Sequence, residues 1–202
     1  MTLSICWTGY FKNKTQYYPI VQRFLITNTT NNIMKHDPTD YPESKIKEML
    51  LTTSYPTKNI IALAYGSGAR VSELIQITKE DISINENYLE IRCVVLKKRN
   101  AKEKNLKRVA LIRLDETWLI EPIQELINLS EPLKPLIKWN RFKVYHEIKN
   151  ATGLNPHMFR AIRATQLAKK GFTAHQLKQF FGWSSVSPSD FYVRLNVEDL
   201  RY

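Results

Sequence analysis

Between Leu89 and Arg113 the chain carries two stretches of strand character separated by a strongly basic run. Leu89, Ile91, Cys93 and Val95 alternate with other residues, the period of a strand with one buried face. Val109–Arg113 reads as the returning strand. Lys97–Arg108 between them holds seven Lys or Arg and one Glu in twelve residues. A basic segment joining two such strands is a hairpin tip or an arm. Ile82–Ile84 upstream adds a third short strand. The rest of the ordered pattern has a helical period, so this hairpin must find its cover among helices.

The helices are bounded by recognisable stops. Ser44–Leu51 reads as a helix with Ser44 as N-cap. Thr57–Tyr65 carries a buried face of Ile60, Ile61, Leu63 and Ala64, and Gly66-Ser67-Gly68 breaks it. Val71–Ile77 follows, with Arg70 at the junction. Further helices are expected over Glu121–Leu129 with Pro122 in the first turn, Arg141–Asn150, His157–Lys170 stopped by Gly171, and Thr173–Phe181 behind an N-cap at Thr173. Ser189–Arg194 begins the last. The predicted class is α+β, mainly helical, with helices around a small three-stranded antiparallel sheet. Before Pro42 only Tyr18–Ile26 has helical character. Thr27–Asn32 and the two prolines of His36–Pro42 read as a linker. Residues 1–41 are therefore set apart as an N-terminal segment, and 42–202 as the functional domain.

Charge narrows the partner. There are 30 Lys and Arg against 19 Asp and Glu, a net charge of +11, with a pI near 9.6. That sign favours a polyanion, with nucleic acid the first candidate. Cys6 and Cys93 match no metal or redox spacing, and suggest a reducing compartment. No apolar run approaches the ~18 residues of a membrane span, and Met1–Tyr10 has no signal-peptide pattern. The expected location is cytoplasm or nucleoid, the host cytoplasm if the chain is virus- or plasmid-encoded. No Walker loop, metal-ligand cluster or paired catalytic carboxylates occur, so neither metal nor cofactor is expected.

The candidate chemistry lies in side chains that accept or donate around an anion. Arg70 follows a Gly-Ser-Gly-Ala turn at a helix start, where anions bind well. Glu73, one turn on, can orient its guanidinium. His157 and Arg160 sit three apart on one helix face. Trp183 offers one N–H, and Tyr192 lies nine residues later at the start of a helix. A tyrosine beside fixed donors is a candidate nucleophile. Taken singly, each has an ordinary explanation: a surface Arg–Glu pair, a satisfied histidine, a core tryptophan, one of ten tyrosines.

Together these residues resemble a family. Ala64-Tyr65-Gly66-Ser67-Gly68-Ala69-Arg70-Val71-Ser72-Glu73-Leu74 is similar to the first signature of the tyrosine recombinases, the phage-integrase and Xer group. His157-Met158-Phe159-Arg160 resembles their His-x-x-Arg box. Phe181-Gly182-Trp183-Ser184-Ser185 resembles their Leu-Gly-His-Ser-Ser element, and Tyr192 keeps the family's spacing to the nucleophile. The likeness covers residues 42–202. Three departures are visible. Trp183 stands where His is usual, as in some branches of the family, and cannot carry a proton. Ala161 stands where many members have a second His. The forty or so residues before the domain are too few for the family's arm-clamping domain, so residues 1–41 read as its remnant.

The resemblance implies cleavage and rejoining of double-stranded DNA through a 3′-phosphotyrosyl link. It implies Tyr192 as nucleophile, Arg70 and Arg160 on the phosphate oxygens, His157 on the tyrosine proton, and Trp183 as a donor that packs the tyrosine helix. The family's lysine acid lies on the hairpin between its second and third strands. Lys97, Lys98, Lys102 and Lys104 compete for that role. The parity of the inward set favours Lys97, with Lys98 next. Lys98, Arg99, Lys102, Lys104, Lys107 and Arg108 are then expected to attract DNA phosphates. A homotetramer on two duplexes is the assembly implied. The other readings are strand relaxation of the type IB topoisomerase kind, and a non-catalytic DNA-binding protein of recombinase descent.

Overall fold

The computed structural model describes residues 36–95 and 107–198, which belong to a unit beginning at His36. Its helices are α1 (Glu43–Thr52), α2 (Thr57–Ser67), α3 (Val71–Leu74), α4 (Thr117–Asn128), α5 (Arg141–Thr152), α6 (Pro156–Lys169), α7 (Ala174–Phe181) and α8 (Ser187–Glu198). The strands are β1 (Ile82–Ile84), β2 (Tyr88–Val94) and β3 (Lys107–Arg113), antiparallel in the order β1-β2-β3. The α+β architecture predicted from the sequence is the one observed. The helix expected over Tyr18–Ile26 lies outside the described residues.

The centre is α2. Every residue from Asn59 to Ser67 is buried, so the helix is enclosed on all sides rather than amphipathic. It packs against α4, α6 and β3. Gly66 permits the approach to the sheet: a Cβ there would lie 2.5 Å from Ile112 Cδ1. The sheet presents one apolar face to the helices. Leu89, Ile91 and Cys93 pair across the ladder with Ile112, Ala110 and Arg108, and all six are buried. β3 alternates strictly between exposed and buried positions, which puts Arg108 on the inner face with Ala110 and Ile112.

Several boundaries differ from expectation for local reasons. α1 begins behind Pro42 with no side-chain cap, so Ser44 lies inside the helix rather than capping it. Expected at Gly66, the break of α2 falls instead at Gly68, which takes the left-handed conformation at φ 58°. α3 is a single turn that stops at Leu74, not Ile77. α4 starts at Thr117 and carries Pro122 in its interior. Its buried stripe of Leu119, Ile123, Leu126 and Ile127 needs the earlier start, and burying those side chains outweighs the hydrogen bond that Pro122 forfeits.

The stop expected at Gly171, at φ 89°, and the N-cap expected at Thr173 are present, and α6 has in addition an N-cap that the sequence reading did not name. Asn155 Oδ1 accepts from Met158 N, with Pro156 in the first turn of α6. Thr173 and Gln176 form a reciprocal capping box on α7. The short turn Pro38–Asp40 packs on α6. Beside it Tyr41 is buried, and its carbonyl accepts from Gln166 Nε2 at 2.8 Å. An ion network runs from the core to the surface: buried Arg163 bonds Glu116 at 3.0 Å, and the exposed Lys170 reaches both Glu116 and the half-buried Glu43 at 3.0 Å.

Candidate active site

Two chain reversals build the site. The first leaves α2 through Gly68 and delivers Arg70 to the N-cap of α3. Its left-handed turn excludes other residues twice over, since a Cβ on Gly68 would meet the Phe181 ring at 2.4 Å. The second leaves α7 through Gly182, at φ 62°, and delivers Trp183. Both reversals face the buried inner side of α6, from which Arg160 projects.

Glu73 is the hub. It is 1% exposed. Its Oε1 accepts from Arg70 Nη1 at 2.6 Å, and its Oε2 accepts from the Arg70 backbone N–H at 3.0 Å. The same Oε2 lies 3.5 Å from Arg108 Nη2 and 3.9 Å from Arg160 Nη1. Sequence assigned Glu73 one guanidinium; the structure gives it three. Three positive charges around one carboxylate leave two uncompensated, in a region largely shielded from water. Burial first, then the charges of Arg108 and Arg70, push the Arg160 pKa down to about 9. At neutral pH the group still carries its charge, in a setting short of anion.

Arg160 is fixed by backbone. Nη1 donates to Gly68 O at 2.5 Å and Nη2 donates to Phe181 O at 2.6 Å. Of the five N–H groups on a guanidinium, three remain for a ligand. Its charge lies over the rings of Phe181 at 4.9 Å and Trp183 at 5.6 Å. Trp183 is stacked between Phe181, at 4.8 Å, and Tyr192, at 5.7 Å and 5° from parallel. The indole therefore seats the tyrosine of α8 against the arginine cluster. Burial raises the Tyr192 phenol pKa above that of an ordinary tyrosine, and the nearby Arg160 charge offsets part of the rise.

His157 lies exposed in the first turn of α6. With Arg70 it lines an open cleft of about 820 Å³, whose far wall is the Arg141, Phe142, Tyr145 and His146 face of α5. Arg70 keeps 22% of its side chain exposed, so it stands between this cleft and the buried cluster. Sequence assigned no role to His146, which the structure places in the cleft wall.

The basic segment divides. Lys97, Lys98, Arg99, Lys102 and Lys104 lie outside the described residues. Lys107 is half-exposed and bonds Asp81 Oδ1 at 2.6 Å. Arg108, expected among the phosphate-attracting residues, is instead 6% exposed and faces the core. Its Nη1 donates to Ser67 O at 3.0 Å and Phe180 O at 2.6 Å. The physical reason is the strand period: from Ala110 and Ile112, two steps back lands inside. Phe181 was also missed as more than a motif position, though it meets Arg160, Trp183 and Gly68 at once.

The model of the Phage integrase family matches residues 26–199. The chain belongs to this family. Within it, tyrosine recombinase XerA of Thermococcus onnurineus is 26% identical over 182 residues, covering 81% of this chain and 62% of the relative. Tyrosine recombinase XerC of Herpetosiphon aurantiacus is 30% identical over 199 residues, covering 87% of this chain and 63% of the relative. The chain thus spans about three fifths of the length of these curated relatives. Among solved structures, XerA recombinase superposes with a TM-score of 0.63 at 19% identity, over 83% of this chain and 64% of that one. XerH recombinase in a post-cleavage complex with its palindromic difH substrate gives 0.57 at 18%, over 79% and 50%. The integrase fold is shared with both.

Proposed function

We propose that this phage-integrase domain is the catalytic part of a site-specific DNA recombinase that acts through Tyr192. The observation that carries the reading is the cluster of Arg70, Arg108 and Arg160 around Glu73, two positive charges in excess, with Tyr192 stacked against it through Trp183. Such a cluster suits a phosphate whose non-bridging oxygens gain charge in the transition state. Arg160, anchored by two carbonyls, and Arg70, at the cleft, would hold those oxygens. Tyr192 Oη would form the new bond to phosphorus as the bond to the 5′-oxygen breaks, leaving a 3′-phosphotyrosyl link. His157 would take the phenol proton. A lysine of the basic segment, Lys97 first, would protonate the departing 5′-oxygen.

Double-stranded DNA is the partner this chemistry needs, and the net charge of +11 suits it. Four copies on two duplexes would complete strand exchange. The deciding experiment is incubation with a nicked suicide duplex, in chelator. The unaltered chain should form an adduct that survives denaturant and yields to protease, and Tyr192→Phe should form none. An adduct that persists in Tyr192→Phe moves the nucleophile elsewhere. Cleavage that requires magnesium contradicts the mechanism.

A further inference from the structure

We propose that Arg108 is a positioning residue for this site, setting the spacing between the turn that presents Arg70 and the turn that presents Trp183 and Tyr192. The inference rests on the recombinase reading for its catalytic consequence, and on geometry for the positioning itself. Arg108 Nη1 bridges Ser67 O and Phe180 O. Arg160 bridges the next residue of each segment, Gly68 O and Phe181 O. The two guanidiniums are therefore successive rungs between the C-terminal ends of α2 and α7.

Each segment reverses at the second rung, the first at Gly68 itself and the other at Gly182, one residue after Phe181. Arg70 follows two residues after the first reversal, and Trp183 one residue after the second. The fit at the second is close. A Cβ on Gly182 would lie 2.8 Å from Arg108 Cδ and 3.2 Å from Val95 Cγ2. Arg108 also stands 3.5 Å from Glu73 Oε2, the carboxylate that orients Arg70. One side chain on β3 thus touches both halves of the site. The rigid guanidinium plane holds Nη1 on the two carbonyls while Nη2 faces the Glu73 carboxylate; a lysine ammonium has three donors on one nitrogen and no plane to fix that separation.

The test uses Arg108→Lys and Arg108→Met in the full chain. Four quantities are read: melting temperature, duplex affinity against salt, single-turnover adduct formation on the nicked duplex, and the fluorescence of Trp183. The last is isolated by subtracting the same protein carrying Trp183→Phe. Both variants should stay folded at the assay temperature and keep the affinity and salt slope of the unaltered chain. Adduct formation should fall about 10- to 100-fold, the cost of misplaced reacting groups, and the Trp183 spectrum should shift. A lysine variant with full activity and an unshifted spectrum overturns the proposal, because charge alone would then suffice. A salt slope reduced by about 0.9 makes Arg108 a phosphate ligand instead. A rate that falls only with the folded fraction reduces it to a structural brace. If the unaltered chain forms no adduct, the recombinase reading fails, and the Trp183 spectrum decides the positioning by itself.

Discussion

Arg70 and Arg160 are the same residue type in different physical settings, and their substitutions should separate accordingly. Arg70 is a partly exposed side chain that donates to the buried Oε1 of Glu73, so Arg70→Ala should cost roughly 100-fold or more in cleavage and about 1–3 kcal/mol of stability for the one buried oxygen left without its donor. Arg160→Ala should cost as much in cleavage. It should also destabilise the fold, by about 1–3 kcal/mol for each of the two buried carbonyls it leaves unpaired. Cleavage assays and thermal melts check both; equal stability loss in the two would contradict the geometry. Tyr192 should ionise at higher pH than an ordinary tyrosine, by ultraviolet titration against Tyr192→Phe. In Arg160→Gln it should ionise higher still, because the one charge lowering its pKa is gone. Motif spacing and the family resemblance singled out Arg70, His157, Arg160 and Tyr192; the structure gathers Arg70, Arg160 and Tyr192 about Glu73 and Trp183 and sets His157 in the cleft beside Arg70. Arg108 was not read correctly, although its parity with Ala110 and Ile112 was in the sequence. A run of like charge masked the strand period beneath it.

The two glycine reversals, after α2 and after α7, are the most demanding local features of the fold. Gly68→Ala imposes a left-handed alanine at a cost of about 1–2 kcal/mol. It also drives a methyl into the Phe181 ring at 2.4 Å, an overpacking of about 1–3 kcal/mol. The melting temperature should fall, and cleavage should fall further than the folded fraction predicts because Phe181 carries the stack to Tyr192. Cleavage tracking stability alone would show that the stack does not matter. The basic segment between β2 and β3 makes a separate claim. Replacing Lys98, Arg99, Lys102 and Lys104 with Gln should lower the salt slope of duplex binding by about 0.9 for each phosphate no longer neutralised; an unchanged slope places the DNA surface elsewhere. Strand pairing, the α2 core and the capped C-terminal helices were legible because period and caps are local. The start of α4 was not, since a proline is tolerated there only on account of the tertiary burial of Leu119 and Ile123.

Acid sensitivity at the scale of the molecule follows from two ion pairs that hold its periphery. Burial works against ionisation of Glu43 and Asp81, but Lys170 and Lys47 at the first, and Lys107 and Thr78 at the second, outweigh it. Both folded pKa values lie below the unfolded ones. Their contribution is therefore present at neutral pH and is lost as pH falls through the folded values. The double variant Glu43→Gln, Asp81→Asn should be less stable than the parent at pH 7 and should lose less on acidification from about pH 5 to 3; denaturant melts across that range check it. An unaltered acid limb would show that other carboxylates dominate. Among the described residues no helix is long and apolar enough to cross a membrane. The sequence placed the start of the domain at residue 42. Tyr41, buried and bonded to Gln166, shows the packed unit reaching a little earlier, which a linker-like composition concealed.

In the proposed reaction the phenol of Tyr192 becomes bonded to DNA phosphorus with no metal ion taking part. The most direct measurement is to trap the adduct in chelator, digest the protein and the DNA, and identify the modified peptide by mass spectrometry. A nucleotide 3′-phosphate on Tyr192, in the peptide spanning α8, is the expected result. A nucleotide on any other residue, or on a 5′-phosphate, would contradict it.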